Sequence, residues 1–467
     1  MPKPEDPSST RTRSRVWYYV VFALIVVMAT AVRLRESASW RKTGFDELIY
    51  RRYLTLMDGG TQKIAIFQKD MSIKLWEYDV AGTGANAVPS LTRLYLRTQA
   101  IPGTECELPP TRFFYTYTSW LWKNIRFGEA PALDMREIAK EWQTPPTGPD
   151  RKNDVDHRDP PLRALHDVAL AFGVLTFVIA GLFGTRMFGP WAGLAIMAIF
   201  AFDPILIHLS QHAMVDGFFT FWALLVLWTT WENLRSSNHR GWLIAHAVGI
   251  AFMVMTKENA FFVYVALTIV VVTNRWLRFG TVTPRFLIAS FLGGFVGLCV
   301  LVWVAGGVGN FIDTYKTFVS KAQHLEFVQL HGDGPWYRYL IDLLTVNPIV
   351  FCLALGGCFS LTHRCKDLAF LVVFLAGSYL LMCSVRYGAN LRFATIWTFP
   401  FAALAFAMVR RISRPFGRYR WPVVALVVMG LSAYEYRQLL IFTGNPNLAF
   451  YEVTPSDLLR HLRVIKN

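Results

Sequence analysis

Residues 200–221 read FAFDPILIHLSQHAMVDGFFTF. An apolar run ends at Asp203, polar residues gather through His212, and a second apolar run starts directly after Asp216. This is the pattern of one helix reaching a membrane surface and the next entering it, with Asp216 at the boundary. An acid in hydrocarbon costs about 2.5–3.5 kcal/mol at the centre of a helix and less near its edge, so an acid in this position reads as functional by default. The plainer reading is an acid that simply reaches water. His208, His212 and Asp216 are each four residues apart, so a continuous helix would stack them on one side. Such a stack suits a divalent metal, although interfacial histidines of no special role have the same spacing.

Outward from this stretch the membrane reading extends over the whole chain. Of its 467 residues, 54% are hydrophobic and 17% charged, well short of the roughly one quarter charged in a soluble domain. The aromatic share of 15% suits a protein with two water–lipid interfaces to line. The first apolar run, Val16 to Val32, follows a basic leader and has no small-residue cleavage site, so it reads as a retained helix rather than a signal peptide. Apolar length predicts helices near 16–33, 164–185, 188–206, 214–232, 241–256, 259–274, 286–306, 346–361, 367–385, 391–409 and 421–442. The expected fold is an all-α membrane protein of about 11 transmembrane helices.

The net charge of +15 is distributed as the positive-inside rule requires. With Arg11, Arg13 and Arg15 in the cytoplasm, the connections bearing Arg186, Arg235 and Arg240, Arg275 to Arg285, Arg364 and Lys366, and Arg410 to Arg420 all fall on the cytoplasmic side. No isolated basic domain and no zinc-finger spacing is present, which argues against nucleic acid as a partner. Cys299, Cys352, Cys358 and Cys383 lie in apolar runs and Cys106 stands alone in the first loop, so no disulfide framework is legible.

The expected organisation is a cytoplasmic tail 1–15, a first transmembrane helix 16–33, a large non-cytoplasmic loop 34–163, a helical bundle 164–442 and a non-cytoplasmic tail 443–467. The large loop holds more than half of the chain's 32 acids, which makes it a folded cap or lid rather than a connection. Its end, Gln143 to Pro161, reads as a solvated connector. Phe311, Tyr315, Phe318, Ala322 and Leu325 trace an amphipathic surface helix, followed by Trp336, Tyr337 and Tyr339 as interface anchors.

Four groups carry candidate chemistry. Asp46-Glu47 follows the first helix, with Tyr50 and Tyr53 on the Asp46 face; helix capping from Thr43 explains an acid there equally well. Asp216 is the second. Lys257-Glu258-Asn259 lies in a tight turn between apolar runs, either as a solvated hairpin tip, or as a local ion pair, or as a cation for phosphate oriented by a neighbouring carboxylate. Arg386 and Arg392 sit on the outer side against the positive-inside trend, where arginine grips a substrate phosphate or a lipid headgroup.

Taken in order, these features resemble the GT-C glycosyltransferases, and within them the protein O-mannosyltransferases and aminoarabinose transferases. The matching text is FDELIYRRYLTLMDGG (45–60), PPTRFFYTYTSWLWKNIRFGEAP (109–131), FAFDPILIHLSQHAMVDGFFTF (200–221), TKENA (256–260) and GDGPWYRYLIDLL (332–344). The resemblance implies a GT-C-like architecture and a sugar donor on a polyprenyl phosphate, with a protein hydroxyl, a lipid or a glycan as acceptor. It implies Asp46 as general base in a single inverting displacement, Glu47 as its orienting partner and Asp216 in the same pocket. Lys257, Arg386 and Arg392 would meet the phosphate, with Glu258, His212 and Tyr50 among the substrate contacts. The scheme requires no cofactor; a divalent metal is compatible with it, with His208, His212 and Asp216 the residues to hold one. A bacterial plasma membrane, with the site facing outward, is the expected location. Two other classes fit the same charges: a transporter or flippase, which would place binding groups near the midplane and carry internal repeats, and a non-catalytic assembly partner. No repeat is visible and the charged candidates share one face, which favours chemistry at an interface.

Overall fold

A computed structural model describes residues 7–36, 45–58, 64–65, 105–106, 112–130, 132, 158–312, 315, 334–362, 365–385 and 389–444. Fifteen α-helices organise them. In chain order these are α1 (Pro7–Glu36), α2 (Phe45–Asp58), α3 (Phe113–Phe127), α4 (Pro160–Phe188), α5 (Pro190–Ala201), α6 (Pro204–Gln211), α7 (Val215–Arg235) and α8 (Arg240–Thr256). They continue with α9 (Ala260–Leu277), α10 (Pro284–Val304), α11 (Arg338–Val346), α12 (Pro348–Phe359), α13 (Lys366–Cys383), α14 (Thr398–Ile412) and α15 (Arg420–Gly444). A 3₁₀ turn, Leu391–Trp397, leads into α14. Within the first large loop, Ile64–Ala65 pairs antiparallel with Glu105–Cys106.

Among the described residues seven spans are long and apolar enough to cross a membrane, and eight if α5 and α6 count as one bent span. The expected eleven are therefore not all matched by length and apolarity. The helices α8 and α12 are apolar but short, and α7 carries Asp216, Glu232 and Asn233 along its length. The helix expected over 188–206 is broken instead: α5 and α6 meet at 61°. The reason is local. Pro204 cannot continue the hydrogen-bond ladder, and the Asp203 carboxylate caps the new helix by accepting from the Leu206 amide at 3.0 Å.

Of the connector expected over Gln143 to Pro161, only residues 158–161 are described, and these differ from expectation. Asp159 is buried and caps α4 through the Leu162 amide, and it receives two hydrogen bonds from Arg51, at 2.8 and 2.9 Å. That bidentate pair ties α2 to the bundle. Tyr339, expected as an interface anchor, is buried and packs edge-on against Trp397 at 5.1 Å, whereas Trp336 is exposed. Of the amphipathic segment, only Phe311 and Tyr315 lie within the described residues.

Close packing relies on small residues where helices cross, as is usual in membranes. A Cβ on Gly297 would come within 2.8 Å of the Ala251 carbonyl oxygen, and one on Gly293 would overlap that of Ala247. Gly293→Ala should therefore push α10 off α8 and lower stability by about 1–3 kcal/mol. Denaturant titration of the purified protein checks this; an unchanged midpoint would contradict it.

The bundle has two chemically distinct ends. One gathers Arg186 against Glu232 at 2.8 Å, Arg235 against Asp367 at 3.3 Å, and Arg411 on the Ser360 carbonyl. The other gathers Asp46, Asp216, Lys257 and Arg392.

Candidate active site

The helix α2 supplies two adjacent acids in its first turn, where they complement the positive end of the helix dipole. Adjacent residues on a helix point about 100° apart, so the two diverge. Glu47 is 0% exposed. Its Oε1 accepts from the Ala213 amide at 2.7 Å and lies 3.3 Å from His212 Nδ1 and 3.7 Å from His166 Nε2. Asp46 faces the opening instead, with its side chain 24% exposed, and its Oδ2 accepts from Arg392 Nη1 at 2.5 Å. Tyr50 is buried one turn on, edge-to-face with Tyr115 at 5.6 Å.

The opposite wall comes from three other elements. Asp216 opens α7, Lys257 sits in the turn between α8 and α9, and Arg392 is in the 3₁₀ turn before α14. The Lys257 ammonium donates to Asp216 Oδ1, with the two side chains 1% and 3% exposed. The same ammonium lies 4.1 Å from the centre of the Phe393 ring, a cation–π contact that partly replaces its lost hydration. Arg392 Nε stands 4.0 Å from Asp216 Oδ2. On the rim, Arg112 meets Glu258 Oε1 at 3.4 Å. Arg112 has φ 63°, a left-handed conformation uncommon outside glycine.

Three carboxylates and three cations thus alternate in one cluster: Asp46, Arg392, Asp216, Lys257, Glu258 and Arg112. Their formal charges cancel. Burial would push the Asp46 carboxyl upward, but Arg392 and Arg112 outweigh it and hold its pKa at about 2. Burial works the same way on Glu258, and Arg112 followed by Lys257 brings it below the ordinary value. Lys257 moves downward because loss of hydration exceeds the pull of Asp216. In the resting protein Asp46 is therefore fully ionised at neutral pH and a weak proton acceptor.

Most of the residues singled out in the sequence meet here. Lys257 does not form a local pair with Glu258 in a solvated turn; it pairs across the bundle with Asp216, and Glu258 pairs with Arg112. The metal stack does not form as spaced. His208 and His212 lie close, with ring centres 4.4 Å apart, but α6 ends at Gln211 and Asp216 belongs to the next helix. Among the described residues no group of three or more His, Cys, Asp or Glu is placed to hold a metal ion. Arg386 and Thr43 lie outside the described residues. Sequence reading did not single out Arg112, Arg51, Asp159 or His166. The one local signal was Asp159 directly before Pro160-Pro161, an N-cap followed by proline at the first helical position.

The family model for dolichyl-phosphate-mannose-protein mannosyltransferase matches residues 163–319, the segment that holds Asp216, Lys257 and Glu258. No curated protein sequence matches the chain. Among solved structures, ArnT from Cupriavidus metallidurans bound to undecaprenyl phosphate superposes with TM-score 0.55 at 12% identity, over 91% of this chain and 76% of that one. The Archaeoglobus fulgidus oligosaccharyltransferase tethered with an acceptor peptide superposes with TM-score 0.54 at 11% identity, over 91% of this chain and 55% of that one. At such identities the likeness is one of fold. The chain thus matches this mannosyltransferase family model over its central helices and shares the fold of ArnT and of the archaeal oligosaccharyltransferase over nearly all of its length.

Proposed function

We propose that the chain moves a sugar from a polyprenyl phosphate to an acceptor hydroxyl on the non-cytoplasmic side of a bacterial plasma membrane. The observation that carries this reading is the alternating ring of cations and carboxylates at the bundle end opposite the basic connections. Its orientation follows from charge: the end bearing Arg186, Arg235 and Arg411 faces the cytoplasm, and the Asp46 end faces away. The tail 1–15 is then cytoplasmic, and the loop 34–163 and the tail 443–467 are on the outer side.

The chemistry is a single displacement. The acceptor oxygen attacks the anomeric carbon on the face away from the phosphate, the bond from that carbon to the phosphate oxygen breaks, and the polyprenyl phosphate leaves with the electron pair. Configuration inverts. The leaving phosphate is already acidic and needs cations more than a proton, and Lys257 and Arg392 supply them where the charge develops. Arg112, on the same rim, is a third cation for that phosphate.

Asp46 takes the acceptor proton. Its resting partner makes this conditional. While Arg392 holds it, Asp46 is a poor base. A phosphate that engages Arg392 draws the guanidinium away and restores the proton affinity of the carboxylate. The base is thus armed by donor binding, which keeps the site inert until the donor is present. Glu47, fully buried and held by Ala213 and His212, fixes the position of α2 and does not react.

The test is binding of polyprenyl phosphate to the detergent-purified protein. Arg392→Gln should weaken it about 10–100-fold, the loss expected for a charge-assisted hydrogen bond. Unchanged affinity would remove Arg392 from the phosphate site.

A further inference from the structure

Away from the ring, the break between α5 and α6 holds a second polar cluster inside the bundle. Asp203, Asn347, Thr398 and Glu435 line a small cavity there, walled by Ile199 and Phe351. Asp203 caps α6 and accepts from Asn347 Nδ2 at 2.6 Å. Glu435 comes from α15, in one of the apolar spans, and is 1% exposed. Among the described residues neither of its carboxylate oxygens has a hydrogen-bond partner, and Asn347 Oδ1 has none either.

Every unpartnered atom lining this cavity is an acceptor. Buried acceptors without donors are strongly disfavoured, and an unpaired carboxylate inside a membrane protein more so. What the cavity lacks is therefore positive charge or a proton. The count of charge gives the amount. Asp203 and Glu435 are two acids, and among the described residues Arg33 is the cation that couples electrostatically to Asp203. The Arg33 hydrogen bonds go to Ser210 and to the carbonyls of Ala29 and Ala201. No other charged side chain lines the cavity among the described residues. One positive charge is missing. The setting is also one that membrane proteins use for this purpose: a broken helix exposes the carbonyl end of its first half beside acidic side chains.

We propose that the Asp203–Asn347–Glu435 cavity binds one monovalent cation, a sodium ion or a proton. The oxygens of Glu435, Asn347 and Asp203, with the Thr398 hydroxyl, form an all-oxygen set suited to sodium. A proton on Glu435 turns that carboxyl into the missing donor. Either ion neutralises the root of α6, whose far end presents His212 and Ala213 to Glu47.

The two ions are separated by thermal unfolding of the full-length protein in detergent, comparing wild type with Glu435→Gln. Replacing N-methylglucamine by sodium at equal ionic strength should raise the wild-type midpoint by about 2–4 °C if sodium is the ligand. If the ligand is a proton, sodium has no effect and the wild-type midpoint falls as pH rises, because charging Glu435 leaves it uncompensated. In both cases Glu435→Gln, which keeps the shape and supplies its own donors, loses the response. Asn347→Leu, which removes the amide oxygen at similar volume, should reduce the response and serves as the second probe. Equal responses of wild type and Glu435→Gln to both sodium and pH would overturn the proposal.

Discussion

Asp46→Asn should transfer sugar at least about 100-fold more slowly than the wild type, the usual contribution of a positioned general base, while remaining folded. The amide keeps the size of the side chain and its half-buried place in the first turn of α2, so insertion and packing should not change. What it loses is the negative charge that faces Arg392 at 2.5 Å and the ability to accept a proton. Donor binding moves in the other direction. With no carboxylate competing for Arg392, polyprenyl phosphate should bind as tightly as in the wild type or more so. Slow transfer with undiminished donor affinity separates loss of a base from loss of a site. Normal transfer by the variant would remove Asp46 from the chemistry.

The pH dependence of the same ion pair has a definite sign. The Asp46 carboxyl is held at about 2 in the folded protein, below the roughly 3.9 of an exposed aspartate. A depressed carboxylate contributes stability that is fully present above its unfolded value and is lost as pH falls towards its folded one. The Asp46–Arg392 contribution should therefore be constant at neutral pH and decline only between about pH 4 and pH 2. Acid unfolding of the wild type and Asp46→Asn should diverge in that window.

Lys257→Met is the second large effect. It leaves Asp216 buried with its nearest remaining cation, Arg392, at 4.0 Å. Breaking a buried ion pair from one side costs about 3–5 kcal/mol, whereas replacing both partners by neutral groups is often close to neutral. The double variant Asp216→Asn/Lys257→Met should therefore regain most of the stability that Lys257→Met loses. It should not regain sugar transfer, because the cation proposed for the phosphate is still missing. Recovery of transfer together with stability would reduce Lys257 to a structural ion pair.

The membrane architecture was legible in the sequence because hydrocarbon imposes long apolar runs and short basic connections that composition cannot hide. The acids and bases of the site, Arg112 excepted, were legible one by one for the converse reason: a charge at the edge of an apolar run needs an explanation. Their pairing was not. Lys257 and Asp216 are 41 residues apart and Arg392 and Asp46 are 346 apart, and nothing local specifies either contact. Lys257 has a closer carboxylate in Glu258, and only the position of α7 gives it Asp216 instead. The break at Asp203 shows a different limit. The Asp-Pro signal is plain in FAFDPILI, but an apolar run on both sides favours one uninterrupted span when periodicity alone is read. The same interruption separates His212 from Asp216 and undoes a metal stack that spacing alone allows. Glu435 sits in an ordinary apolar helix, and its isolation became visible only once the opposing helices were in place.

The most direct measurement is sugar transfer in purified membranes from a panel of labelled polyprenyl-phosphate sugars, with wild type and Asp46→Asn side by side. Transfer or hydrolysis from at least one donor, dependent on an intact Asp46, is the expected result. Folded wild-type protein that releases no sugar from any of them would contradict it.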